Sequence, residues 1–203
     1  MRKEVLLPIL AILLILLNYF LPTKTLLELI TLDFILYLGI PFFVLFKVFK
    51  EQPKNFGIQK RNLKLGLKYS IILLILALPF MLYGSQLSDF KAYYPFWPAA
   101  RENVSSFIYF ELLIGVRMMA TEFIYRGLLL FSLAKIIKPN HANLIHSFIY
   151  MLAHIGKPFL EVPYSFGAGL VFGHVDLKCK SILPSFLMHY ISSIMFDAMV
   201  IML

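Results

Sequence analysis

Seven apolar runs divide this chain, at about residues 4–22, 26–48, 66–84, 104–137, 142–156, 164–177 and 182–203, and that pattern leaves few folds open. As helix, a run of roughly 20 residues spans the ~30 Å hydrocarbon core of a bilayer. None of the runs alternates with the period of a barrel strand. Inside lipid each segment must satisfy its own backbone hydrogen bonds, so the chain reads as all-α, a polytopic transmembrane helix bundle of about seven segments. Composition agrees: 60% of the 203 residues are hydrophobic and the mean hydropathy is +0.81. Arg2 and Lys3 precede a run, Val5 to Leu21, that is longer than a signal-peptide core and lacks a small-x-small site before Pro22. It reads as an uncleaved first span.

The formal charge is +8, but the basic residues cluster in short segments between apolar runs and are not interleaved with aromatics. They speak for membrane orientation and against nucleic acid as a partner. Lys47, Lys50, Lys54, Lys60, Arg61 and Lys64 stand against Glu51 in one connection, which the positive-inside rule places in the cytoplasm. Counting from there puts the amino terminus, Lys135 with Lys138, and Lys178 with Lys180 on the same side. The expectation is a multi-pass integral membrane protein with a cytoplasmic amino terminus, in the plasma membrane of a prokaryote. Its partners are membrane lipids and a membrane-associated protein or peptide. The opposite loop contains KAYYPFWPAA, whose Tyr93, Tyr94, Phe96 and Trp97 suit an interfacial belt. The single Cys179 and His174 read as boundary residues, and Gly167, Gly169 and Gly173 as positions of close helix approach. The run 104–137 would be about 50 Å long as helix, so it must tilt, bend or project.

Ionisable residues inside spans are costly and mark functional sites by default. TEFIYRG places Glu122 and Arg126 four apart on one helix face, where they can pair, with Glu111 and Arg117 earlier along a polar stripe. His146, Tyr150 and His154 follow at the same spacing in another run, and His189, Ser193 and Asp197 in the last. A carboxylate on one helix and imidazoles on two others can position a water, protonate a leaving group and hold an oxyanion. Two histidines and an acid could equally ligate a divalent metal such as zinc, although neither HExxH nor a cysteine cluster is present. Whether the cofactor is a metal or none is left open.

These residues resemble the CAAX prenyl endopeptidase and bacteriocin-processing family of intramembrane proteases, whose motifs are EExxxR, FxxxH and HxxxN on three successive core helices. TEFIYRG is similar to the first, YMLAH (Tyr150 to His154) to the second and HYISS (His189 to Ser193) to the third. The resemblance runs from Tyr94 to Asp197. It implies amino-terminal transmembrane helices over 1–90 and a CAAX-protease-like core over 91–203. It also implies that Glu122 with His154 activates water, that His189 supports the oxyanion, and that Arg126 orients Glu122. Two positions depart from the pattern. Thr121 replaces the first glutamate, and one residue along a helix turns a side chain by about 100°. Ser193 replaces the asparagine with a shorter hydroxyl donor, which Asp197, one turn on, can supplement; Tyr150 replaces phenylalanine and adds a hydroxyl near His154.

The reading that follows is an intramembrane endopeptidase cutting a membrane-associated protein or peptide. The alternatives are an inactive relative acting as a membrane interaction or immunity protein, and a small transporter. Counting at ~1.5 Å per residue from the nearest inner lysine sets Glu122, His154 and Asp197 level at about 24–26 Å, with His189 nearer the cytoplasm at about 14 Å.

Overall fold

The apolar runs all become helix in the computed structural model, which describes residues 3–203; Arg2 lies outside the described residues. The elements are α1 (Lys3–Phe20), α2 (Leu26–Val48), α3 (Leu63–Gly84), a short α4 (Ser88–Tyr93), α5 (104–133), α6 (Pro139–Leu152), α7 (Glu161–Cys179) and α8 (Leu183–Met202). Their starts follow local chemistry. Thr25 Oγ1 accepts the Glu28 N–H at 3.2 Å and Asn103 Oδ1 accepts the Ser106 N–H at 2.9 Å, satisfying amides that have no partner within the first turn. Pro139 and Pro184 open α6 and α8, where a missing N–H costs nothing.

Among the described residues, α1, α2, α3 and α8 are long and apolar enough to cross a bilayer. The remaining long helices are more polar, and α5 fills the centre. It is α-helical over Val104–Glu122, changes to π-helical hydrogen bonding over Phe123–Leu130, and regains an α turn at Phe131–Leu133. The 104–137 run thus continues as one rod as far as residue 133, and its register changes directly after Glu122. Such π segments often coincide with functional sites. Around α5, Leu7, Leu14, Leu36 and Leu45 of α1 and α2 share one core with Phe123, Leu128 and Tyr150. Leu13, Leu17, Ile71, Ile75 and Phe80 point outward, as lipid-facing side chains do.

Close approach of α6 and α7 depends on glycine. A Cβ at Gly169 would lie 3.1 Å from Ser147 Cα, and one at Gly173 would lie 2.0 Å from Asn143 Oδ1. Gly167, expected in the same role, faces open space.

The basic segments gather at one end of the bundle. Lys3 Nζ pairs with Glu51 at 2.6 Å, Lys135 sits 4.0 Å above the Phe56 ring, and Gln59 donates to the Lys180 carbonyl at 2.6 Å. The hydrogen bond from Lys3 holds the Glu51 carboxyl below its ordinary range. At the other end the aromatic loop is tied down by Arg101, whose guanidinium donates to the carbonyls of Lys91 and Tyr94. Cys179, expected at a boundary, is a free thiol packed inside the protein, while His174 is exposed.

Candidate functional site

TEFIYRG sits where α5 changes register, and its charged pair is wholly interior. Glu122 and Arg126 are both 0% exposed, with Nη1 donating to Oε1 at 2.8 Å. The same Oε1 accepts from His189 Nδ1 of α8 at 2.7 Å. The guanidinium also lies 4.3 Å from the Tyr150 ring centre and 5.4 Å from that of Phe172. Ring faces are electron-rich, so the cation is balanced by a carboxylate and by π density together. A charge this deep is tolerable only with such pairing.

Because Glu122 can only accept, His189 must carry its Nδ1 proton, and its Nε2 is left facing the Tyr150 hydroxyl at 3.4 Å. In neutral His189 this nitrogen accepts from the hydroxyl; in the imidazolium it becomes a donor. Although counting along the chain sets His189 nearer the cytoplasm than Glu122, the two side chains meet directly at 2.7 Å.

His154, expected within the fifth span, lies just beyond the end of α6, whose cap is Ala153. Its Nδ1 bonds the Tyr150 carbonyl at 2.8 Å, closing one of the last-turn carbonyls that a helix end leaves without a partner. The ring packs edge-on to Tyr150 at 4.6 Å. Its Nε2 points to a residue that sequence reasoning missed, Glu161 Oε1 of α7, 3.8 Å away. Lys157 Nζ donates to that oxygen at 2.8 Å, and the Tyr94 hydroxyl reaches both Glu161 oxygens, at 2.8 and 2.7 Å. Gly156 and Pro158 mark a turn, and an acid in the first turn of the next helix is a standard start signal. That signal could have drawn attention to Glu161.

Two cavities meet here. One, of about 580 Å³, is lined by Tyr94, Glu161, Ser193 and Asp197 among others; the second, of about 400 Å³, is lined by Tyr37, Thr121 and Tyr125 among others. Tyr150, His154, Lys157 and His189 line both. Glu122 lines neither, and no hydrogen bond joins it to His154 among the described residues. Glu122 and His154, expected to act together, thus share no direct contact: Arg126 and His189 both bind Glu122 Oε1, and Oε2 is buried with no hydrogen-bond partner among the described residues. Thr121, one residue earlier, is partly exposed to the second cavity. His146 packs behind Tyr150, with the rings stacked at 6.3 Å.

Asp197, expected to supplement Ser193, is 2% exposed, and its Oδ1, like both carboxylate oxygens of Glu111 on α5, is buried with no hydrogen-bond partner among the described residues. Farther along α5, Arg117 Nε meets Asp33 at 2.6 Å, and Asn18 donates to the same carboxylate at 2.7 Å, which ties α1, α2 and α5 together. Among the described residues no group of three or more His, Cys, Asp or Glu side chains is placed to hold a metal ion.

Residues 103–195 match the family model described as type II CAAX prenyl endopeptidase Rce1-like. No curated protein and no solved structure matches the chain. The matched stretch takes in α5, α6 and α7 whole, and with them Glu122, Arg126, Tyr150, His154 and Glu161; it ends within α8 after His189 and Ser193. Motif order, helical membrane architecture and family match agree, and residues 103–195 of this integral membrane protein are similar to the Rce1-like type II CAAX prenyl endopeptidase family.

Proposed function

We propose that this protein is an intramembrane endopeptidase that hydrolyses a peptide bond of a membrane-associated protein or peptide, with its core in 91–203 and 1–90 as supporting helices. One observation carries the reading: His154, in the turn after α6, and His189 of α8 line the same pair of cavities, with the Tyr150 ring edge-on to both. The two cavities, of about 580 and 400 Å³, both border His154. His154 Nδ1–H donates a hydrogen bond to a backbone carbonyl, so its Nε2 lone pair is free to accept one from the attacking water. His189, the Tyr150 hydroxyl and Ser193 surround the position where a carbonyl oxygen gathers charge. Glu122 acts through His189 by fixing its Nδ1 proton and its ring direction, and Arg126 holds Glu122.

With the basic end cytoplasmic, the mouth bearing Tyr94, Lys157 and Glu161 opens toward the opposite side, and a substrate is presented from there. In a prokaryote that is the outer side of the plasma membrane. The family's description makes a farnesylated CAAX peptide the first probe, and an unprenylated transmembrane peptide the second. Reconstituted protein cleaves at least one of them. His154→Ala and His189→Ala lower kcat/KM by about 100-fold or more, the usual contribution of a positioned acid or base. Activity that survives His154→Ala, His189→Ala and Glu122→Ala alike overturns the proposal.

A second reading, an inactive relative acting as a membrane partner or immunity protein, draws on Thr121, which faces the second cavity without a carboxylate. Turnover by the unmodified protein excludes it.

A further inference from the structure

Resting on the endopeptidase reading, we infer that Glu161 is the carboxylate of the water-activating pair, binding the attacking water jointly with His154 from the first turn of α7.

The hydrogen bonds on both sides of the pair leave little choice. A carbonyl oxygen cannot donate, so the 2.8 Å contact from His154 Nδ1 to the Tyr150 carbonyl puts the proton on Nδ1. Neutral His154 then presents a bare lone pair on Nε2. Glu161 Oε1 faces it at 3.8 Å. Two acceptors at that separation have no bond to make with each other. A water placed about 2.8 Å from both donates one O–H to each, and its own lone pairs then point into the cavity. Having both protons held is what makes a water nucleophilic.

Glu161 is well set for the role. The Tyr94 hydroxyl takes Oε2 at its shorter contact, 2.7 Å, and Lys157 takes one lone pair of Oε1 at 2.8 Å, leaving the other for the water. Its side chain is 14% exposed, whereas that of Glu122 is 0% exposed, lines neither cavity and has its Oε1 taken by Arg126 and His189. Both Glu161 and His154 line the larger cavity. Thr121 lines the smaller cavity, which His154 also borders. The carboxylate that position 121 lacks on one side of the imidazole is thus matched by Glu161 on the other.

The step balances. The water oxygen bonds the peptide carbonyl carbon as its O–H toward Glu161 breaks, Oε1 takes that proton, and the C=O π pair moves onto the carbonyl oxygen beside His189 and Tyr150. When the oxyanion collapses the C–N bond breaks, and the leaving nitrogen takes the proton back from Glu161. The products are an acid and an amine.

The full-length protein in lipid nanodiscs is assayed on an internally quenched farnesylated CAAX peptide and on an unprenylated transmembrane peptide. Glu161→Gln keeps the side-chain volume and the Tyr94 contact. We expect it to lower kcat at least 100-fold with KM within about threefold, and Glu161→Asp, which retracts the carboxylate, to lower kcat about tenfold. Adding Thr121→Glu to Glu161→Gln restores part of the rate. Nitrogen NMR of the wild type at neutral pH finds His154 protonated on Nδ1 and bare on Nε2. Wild-type kcat in Glu161→Gln, with His154→Ala inactive, overturns the role of Glu161 and spares the endopeptidase reading. An imidazolium at His154 at neutral pH also overturns it, since the pair is then a plain ion pair. No cleavage of either peptide by the wild type overturns the endopeptidase reading itself, and the role of Glu161 with it.

Discussion

Glu122 and Glu161 are the two carboxylates that reach the histidines of the site, and they stand in opposite settings. Glu122 is fully buried on α5, shares Oε1 between Arg126 and His189, and lines neither cavity. Glu161 opens α7 and lines the larger cavity, held by Lys157 and Tyr94, with Oε1 turned to His154. A carboxylate locked between a guanidinium and an imidazole in a low-dielectric interior orients its partners. One at the edge of a cavity can exchange a proton with water. On the proposal above, Glu122 serves the architecture of the site and Glu161 its chemistry.

Several substitutions sharpen or break that contrast. The largest effect is expected from Arg126→Leu, which strands the buried Glu122 charge: breaking one partner of a buried pair costs about 3–5 kcal/mol. The loss is read as a lower thermal midpoint in lipid nanodiscs. Lys157→Met beside the part-exposed Glu161 shifts that midpoint far less, and equal shifts would break the contrast. Gly169→Val comes next. Its side chain meets Ser147 where even a Cβ would be only 3.1 Å from Cα, so α6 and α7 must separate. Overpacking of this kind costs about 1–3 kcal/mol, and because His154 follows α6 while Glu161 begins α7, kcat falls with it. A full-rate Gly169→Val protein would show that the 3.8 Å gap between the two side chains does not govern turnover. The smallest effect belongs to Tyr94→Phe. It removes the hydroxyl bonded to Glu161 and loosens the carboxylate without disturbing Glu122 and His189, while Lys157 still holds Oε1. Kinetics on the same peptides separate this modest loss in kcat from any change in KM.

Particular residues show how far sequence reasoning reached. The hydrophobic runs located every long helix, because in lipid a helix must satisfy its backbone locally and so announces itself by length. The same logic found Glu122, Arg126, His154 and His189, since polar groups stand out in apolar runs. It paired them imperfectly. Spacing of four put His154 on the Tyr150 face, and the structure keeps that link through the Tyr150 carbonyl even though the helix ends before His154. Spacing along one helix carries no information about contacts to another. Glu161 and Asp33 escaped for that reason: one lies seven residues beyond His154 in a loop-to-helix junction, and the other pairs across to Arg117 on a distant helix.

The sequence by itself determined the class of solvent, the number and place of the long helices, the polar residues that had to be sheltered, and a likeness that the match over residues 103–195 supports. These are local properties, set by composition and period along one dimension. Only the tertiary structure decided which acid meets which base. Crossing helices bring Glu122 to His189 at 2.7 Å, while the turn after α6 brings Glu161 to His154 at 3.8 Å. Proton transfer depends on separations of a few tenths of an ångström, and those arise from packing between helices, on which the order of residues along a chain is silent.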